Sequence, residues 1–298
     1  MSAVFSNAAM VFLSIVFESA PFILMGAIFS SLVLIFIPEN FFKKYLPANP
    51  LLSIFPALIL SAVFPVCECA IIPAIRGLVR KGMPLCAGAV FLAAAPILNP
   101  IVLASTFYAF RFDLQVVFLR FGLAGLVALS VGILVYFLLE RGKPSRVDLP
   151  MAPAPRPRGW LSLSVWKNVL DHSIDEFFSV GKYFILGAAI ASLFQSVLSQ
   201  QAVLGLSDSV YTASGVMMFL AYILSLCSTA DAFVAASFSG TFPVMSVVAF
   251  LLLGPMLDIK NTTMLLGYFS PRFALVFILA AASTVYAWVI IFQFLLFS

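Results

Sequence analysis

Apolar stretches long enough to cross a lipid bilayer recur along this chain, and they constrain its fold more than any other feature. A run of about 20 apolar residues spans the hydrocarbon core as a helix. Such runs fall near residues 9–37, 52–75, 85–110 and 114–139, and again near 177–198, 212–238, 243–268 and 271–297. Of the 298 residues, 63% are hydrophobic and only 9% are charged, against about 25% charged in an ordinary soluble domain. Too little polar surface remains to cover a water-soluble globule of this size, so the principal solvent is lipid. The chain lacks the alternating decads of an outer-membrane barrel. The expected fold is all-α, a polytopic bundle of about eight transmembrane helices.

Between the two sets of runs lies Glu140 to Asp171, with Pro144, Pro150, Pro153, Pro155 and Pro157 among interspersed arginines. That composition cannot bury a core and reads as a solvated linker. The expected organisation is a first repeat over 1–139, a linker over 140–171 and a second repeat over 172–298. The halves resemble each other in the order of a few distinctive residues. Phe91 to Asn99, with Pro96, aligns with Phe250 to Asp258, with Pro255; Pro84 faces Pro243; Pro65-Val-Cys67 faces Ser225-Leu-Cys227. Internal repeats are a common build for transporters, with the substrate site at the repeat interface near the midplane. Four spans per half would make the repeats parallel, and re-entrant segments would change that.

Lysine and arginine in short loops set orientation. One side holds Arg76, Arg80, Lys81, Arg141, Lys143, Arg146, Arg156, Arg158 and Lys167; the other holds Lys43, Lys44, Arg111, Lys260 and Arg272. The linker and both termini are therefore expected to be cytoplasmic. Met1 to Ala9 carries no Lys or Arg, so the first span reads as retained rather than as a signal peptide.

The residues that carry chemistry lie inside the spans. Pro65-Val-Cys67-Glu68-Cys69-Ala-Ile-Ile-Pro73 brackets two thiols and a carboxylate between prolines. Proline removes a backbone donor and crowds the preceding turn, so the span should break here and turn backbone groups toward a cavity. Two thiols in Cys-x-Cys spacing do not share a face of a regular helix, but in an unwound turn both reach one soft ion. On this reading Cys67 and Cys69 are candidate metal ligands; on the plainer one they are small buried apolar side chains. Cys227-Ser-Thr-Ala-Asp231 puts an acid at mid-span, where it needs a cavity or a partner. Gly254-Pro255-Met-Leu-Asp258-Ile-Lys260 and the corresponding Pro96-Ile-Leu-Asn99-Pro100 read as discontinuous helices at matching positions of the two halves. Asp258 and Lys260 point to different sides of a regular helix unless a break lets them meet.

Other candidates are weaker. Glu18 lies inside the first span and reads either as a site residue or as a rim position. His172, Asp175 and Glu176 have metal-ligand spacing, but a solvated amphipathic turn explains them as well. Cys86 reads as packing.

The first motif, with Gly82-Met-Pro84 and Phe91 through Pro100, resembles the predicted permease family that includes the organoarsenical efflux permeases. The second-half motifs, Cys227 to Phe233 and Gly254 to Asn261, are similar to a branch usually encoded beside a smaller membrane protein. Glu68 stands where arsenic-linked members tend to have Ser, and Asp231 marks that other branch. The resemblance implies an eight-helix permease of the bacterial inner membrane. For arsenic-linked members it implies export of trivalent organoarsenicals through the cysteines of the first motif.

The function expected is that of a secondary transporter for a thiophilic metal, a metalloid or a small anion. Cys67, Cys69 and Cys227 would meet the substrate, Glu68, Asp231 and Asp258 would supply charge, and Asn99 and Lys260 would line the site. Pro65, Pro73, Pro96, Pro100 and Pro255 would break the helices around it. The sequence contains no phosphate-binding Gly-x4-Gly-Lys-Ser/Thr loop. No cofactor and no nucleic-acid partner are expected; the expected partners are the bilayer and a small inorganic or organometalloid substrate, with a second small membrane protein as a further candidate. Rival readings are an intramembrane thiol oxidoreductase or lipid-modifying protein, and a subunit that mainly anchors a partner.

Overall fold

In lipid, backbone amides and carbonyls find partners only within the chain, so apolar runs fold as helices. The computed structural model describes residues 2–36, 49–63, 68–141, 163–197 and 209–297, and every regular element among them is helical. The first half contains α1 (Ser2–Phe36), α2 (Ile54–Val63), α3 (Glu68–Arg80), α4 (Leu85–Ala94), α5 (Pro100–Ala109) and α6 (Leu114–Val135). The second contains α7 (Leu163–Val197), α8 (Val210–Leu224), α9 (Ala230–Phe238), α10 (Val244–Met256), α11 (Ile259–Tyr268) and α12 (Pro271–Phe297). Helix α7 thus begins inside the segment read as linker.

Among the described residues, five stretches are long and apolar enough to cross a membrane: Ser6–Val33, Leu114–Glu140, Trp166–Ser196, Val244–Tyr268 and Pro271–Leu296. Val244–Tyr268 is 94% buried, whereas the others bury between 28% and 39%. The α10–α11 stretch is therefore the centre of the bundle, and the other four present apolar faces outward.

Helix starts are fixed by caps. Pro84 and Pro243 precede α4 and α10 with nearly identical backbone angles (φ −58°, ψ 145° and φ −56°, ψ 143°). Asn99 accepts from the Ile101 amide ahead of α5, and Asp258 from the Asn261 amide ahead of α11. The prolines act unequally. Pro96 lies in the turn between α4 and α5, Pro100 is the first residue of α5, and α10 ends one residue after Pro255. Pro73, expected as a break, lies inside α3 without ending it; the helical stretches on its two sides, residues 68–72 and 74–80, carry the element across the missing donor. Pro65 lies outside the described residues.

The contacts at the ends of α2 and α3 change the reading of residues 52–75. Cys86 Sγ donates to Pro50 O at 3.3 Å, at the start of α2. Arg80, the end of α3, is only six residues before Cys86, a reach of about 20 Å at most. A straight α2–α3 rod of 23 helical residues would be about 35 Å long. The segment therefore folds back, and both its ends lie at the N-terminal end of α4. The α8–α9 segment does the same against α10: Ser214 hydrogen-bonds Ser246 at 3.0 Å, and Phe242 N donates to Phe238 O at 3.0 Å where α9 turns toward α10. Hydropathy measures how much apolar chain is present and not where it reverses, so two segments that read as crossings are hairpins.

Helices α1 and α7 pack against each other and run antiparallel. The rings of Phe36 and Trp166 are 6.2 Å apart, joining the end of one helix to the start of the other. Two glycines let backbones meet at this wall: a Cβ on Gly26 would lie 2.7 Å from Ala70 Cα of α3, and one on Gly187 would lie 2.8 Å from Lys260 Cα of α11.

Candidate functional site

The inner ends of the hairpins and the break in the central stretch converge on one group of buried polar side chains. Helix α8 stops at Ser225, whose backbone is left-handed (φ 47°), a conformation a non-glycine residue adopts only when its surroundings hold it. Here they do: Ser225 Oγ accepts from Ile259 N at 3.3 Å, and Ser225 O accepts from Lys260 Nζ at 2.5 Å. One residue thus joins the end of α8 to the start of α11.

At that start Leu257 and Asp258 are extended. Asp258 stands outside the helix as its cap, which removes the helical geometry that would have pointed it away from Lys260. Its Oδ1 accepts from Asn261 N at 2.6 Å, and its Oδ2 lies 3.4 Å from Lys260 Nζ. Glu68, the first residue of α3, is buried, with neither carboxylate oxygen in a hydrogen bond among the described residues. It lies within electrostatic reach of Lys260, Asp258 and Asp231.

Asp231, in the first turn of α9, has a partner that the sequence reading missed. Arg120 of α6 is completely buried, and its Nη2 lies 2.9 and 3.1 Å from the two oxygens of Asp231. The same nitrogen donates to Ser228 O at 3.4 Å, and Nη1 donates to Thr106 Oγ1 of α5 at 2.7 Å. A guanidinium with several donors in a fixed fork can tie three helices together in this way. The available signal was one Arg inside an apolar span, as costly there as Asp231 and therefore in need of it.

The remaining candidates divide. Cys69 is buried in the first turn of α3, and Cys227 is partly exposed with Thr229 Oγ1 3.7 Å from its sulfur; the two thiols feel each other and Glu68 electrostatically. Cys67 lies outside the described residues. Asn99 caps α5, and no hydrogen bond recorded for it reaches the charged group. Among the described residues no set of three His, Cys, Asp or Glu side chains is placed to hold a metal ion, and His172, Asp175 and Glu176 stay apart from the centre on α7. Cys86 caps the turn before α2, as packing, beside Glu140, whose carboxylate accepts from the Leu85 and Cys86 amides at 2.6 and 3.3 Å.

A small cleft of about 60 Å³ lies beside this centre, lined by residues of α1, α7, the end of α8 and the start of α11. Glu18 and Ser19 line it from α1, Gln195 from α7, and Ser225, Cys227 and Lys260 from the hairpin and α11. Glu18 therefore shares a cleft with Ser225, Cys227 and Lys260.

An all-helical bundle of long apolar helices with buried ion pairs at its centre, one of them beside a cleft, is the build of a polytopic membrane protein. The chain belongs to the predicted permease family, whose model matches residues 4–294. It is 43% identical to UPF0718 protein YcgR of Bacillus subtilis over 268 residues, 90% of each chain. It is 39% identical over 270 residues to a Streptococcus mutans protein named as a subunit of a two-component membrane permease complex, covering 90% of this chain and 89% of that one. No solved structure matches the chain significantly.

Proposed function

We propose that this protein is a secondary transporter that moves a thiophilic metal ion, a metalloid or a small anion through the central site. The observation that carries the reading is the convergence of Glu68, Asp231, Asp258, Lys260 and Arg120 at helix breaks beneath a cleft. Buried charge in a membrane is expensive and is retained at solute pathways. Cys67, Cys69 and Cys227 supply soft ligands to a passing substrate, while Lys260 and Arg120 hold the acids in place between transport events. A second membrane protein is a further expected partner, on the strength of the name of the Streptococcus relative.

The arrangement that supports transport is two inverted halves, each built from an outer helix, a fold-back hairpin, a broken crossing and a final crossing. Support comes from the antiparallel α1–α7 pair, the matching proline caps and the two hairpins. This makes six crossings with the linker on one face and both termini on the other, in place of a wholly cytoplasmic set of ends. Arg76 lies 4.4 Å from the Tyr268 ring at the end of α11, which gathers Arg76, Arg80, Lys81, Arg141, Lys167 and Arg272 on the linker face. Positive charge retains loops in the cytoplasm, so the linker is cytoplasmic and the termini are outside.

Purified protein in proteoliposomes, loaded in turn with soft metal ions and arsenite species, tests the function. Wild-type protein moves at least one of them, and Cys67→Ser/Cys69→Ser and Lys260→Met each abolish that flux. Full flux through both variants would overturn the site.

A further inference from the structure

We propose that Glu18 is the charge selector of the cleft and that the species admitted to Cys227 is a small soft cation. This rests on the transporter reading and narrows its substrate class from metals, metalloids and anions to cations. A carboxylate in the middle of an apolar helix is tolerated where water or a partner reaches it. Glu18 is exposed, lines the cleft, and forms no ion pair or hydrogen bond recorded among the described residues. The other charge on the cleft wall is Lys260, and it is already matched: its ammonium donates to Ser225 O and lies 3.4 Å from Asp258 Oδ2. Gln195 is committed as well, its Nε2 donating to Leu224 O at 2.6 Å. The unbalanced charge of the cleft is therefore negative and sits on α1, while the group left to receive a ligand is the Cys227 thiol, partly exposed on the lining.

A narrow cleft with low-dielectric walls focuses the field of such a charge and raises the local concentration of its counter-ion by about tenfold or more. A soft cation drawn in by Glu18 then meets sulfur, the ligand such an ion prefers. An anion is repelled before it can reach Lys260.

The test needs no transported substrate. Purified protein in nanodiscs is treated with two membrane-impermeant methanethiosulfonates of similar size, one bearing trimethylammonium and one bearing sulfonate. Each forms a mixed disulfide with the thiolate and releases methanesulfinate. Labelling of Cys227 is followed by peptide mass spectrometry, with rates normalised to those with 2-mercaptoethanol and with Cys227→Ser as the blank. The expected result is that the cationic reagent modifies Cys227 about tenfold faster than the anionic one. Glu18→Gln brings the two rates to within about twofold and Glu18→Lys reverses their order. Absence of labelling by either reagent would overturn the cleft as the route. Equal or faster labelling by the sulfonate, or a ratio unmoved by Glu18→Gln, would overturn the selector. Because no flux is read, these outcomes are separate from the failure of the transport assay.

Discussion

Arg120 with Asp231 and Lys260 with Asp258 are both buried cation–carboxylate pairs at the centre of the bundle, yet their surroundings differ. The first is enclosed by α5, α6 and α9 and by a further bond to Thr106. The second stands beside the cleft, one partner on its wall and the other a helix cap. The enclosed pair has good geometry and no access, which suits a latch between helices. The pair beside the cleft is equally buried but has a longer contact, 3.4 Å, and one partner on the cleft wall, which suits a group that changes partner. A charge pair alone does not mark a transport site; its place beside a cleft does.

Removing one partner separates the two roles most sharply. Arg120→Ala leaves Asp231 buried without a counter-charge and is expected to cost about 3–5 kcal/mol, read as a lowered thermal midpoint in detergent. Arg120→Met with Asp231→Leu should recover most of that loss, since it removes both charges together. Lys260→Met should cost less, about 1–3 kcal/mol, because Asp258 keeps the Asn261 amide, while flux in proteoliposomes is lost. If the Lys260 variant proved the less stable of the two, the distinction between latch and site would fail.

Gly187→Ala tests whether the pair beside the cleft depends on its wall. The new Cβ would lie 2.4 Å from Thr263 Oγ1 and 2.8 Å from Lys260 Cα, so α11 must move. Overpacking of this kind costs about 1–3 kcal/mol, and Cys227 labelling kinetics should change with it. Glu140→Ala, remote from both pairs, frees two amides at the start of α4 and should cost about 1 kcal/mol with labelling unchanged. Smallest is Trp288→Phe, which loses the bond to Ser130 at 3.0 Å and is expected to cost about 0.6 kcal/mol.

Much of this was legible beforehand, for physical reasons. Lipid forces long apolar runs into helices, so the segments forming α1, α6, α7 and α12 could be read from hydropathy, and the breaks at Pro96–Pro100 and after Pro255 followed from missing donors. Glu68, Asp231, Asp258 and Lys260 were found because charge in lipid needs a reason. What could not be read was direction: residues 52–75 hold enough apolar chain to cross, and the contact between Pro50 and Cys86 that reverses them is non-local. The meeting of Asp258 with Lys260 could be read only as conditional on a break, and the condition is met by an extended backbone at Leu257 and Asp258. Arg120 was overlooked because a single cation in a long apolar helix resembles a snorkelling residue until its partner is seen.

Gly187 also has a mechanical consequence. Where a glycine rests directly on a neighbouring backbone there is no side chain to repack, so the joint transmits force without slack. Helix α7 has 35 residues and is a rod about 50 Å long, clamped to Lys260 partway along. A force on the first turn of α7 is therefore felt at Lys260, and a shift of Lys260 is felt at that turn. The first turn of α7 is in this sense a handle on the centre of the bundle.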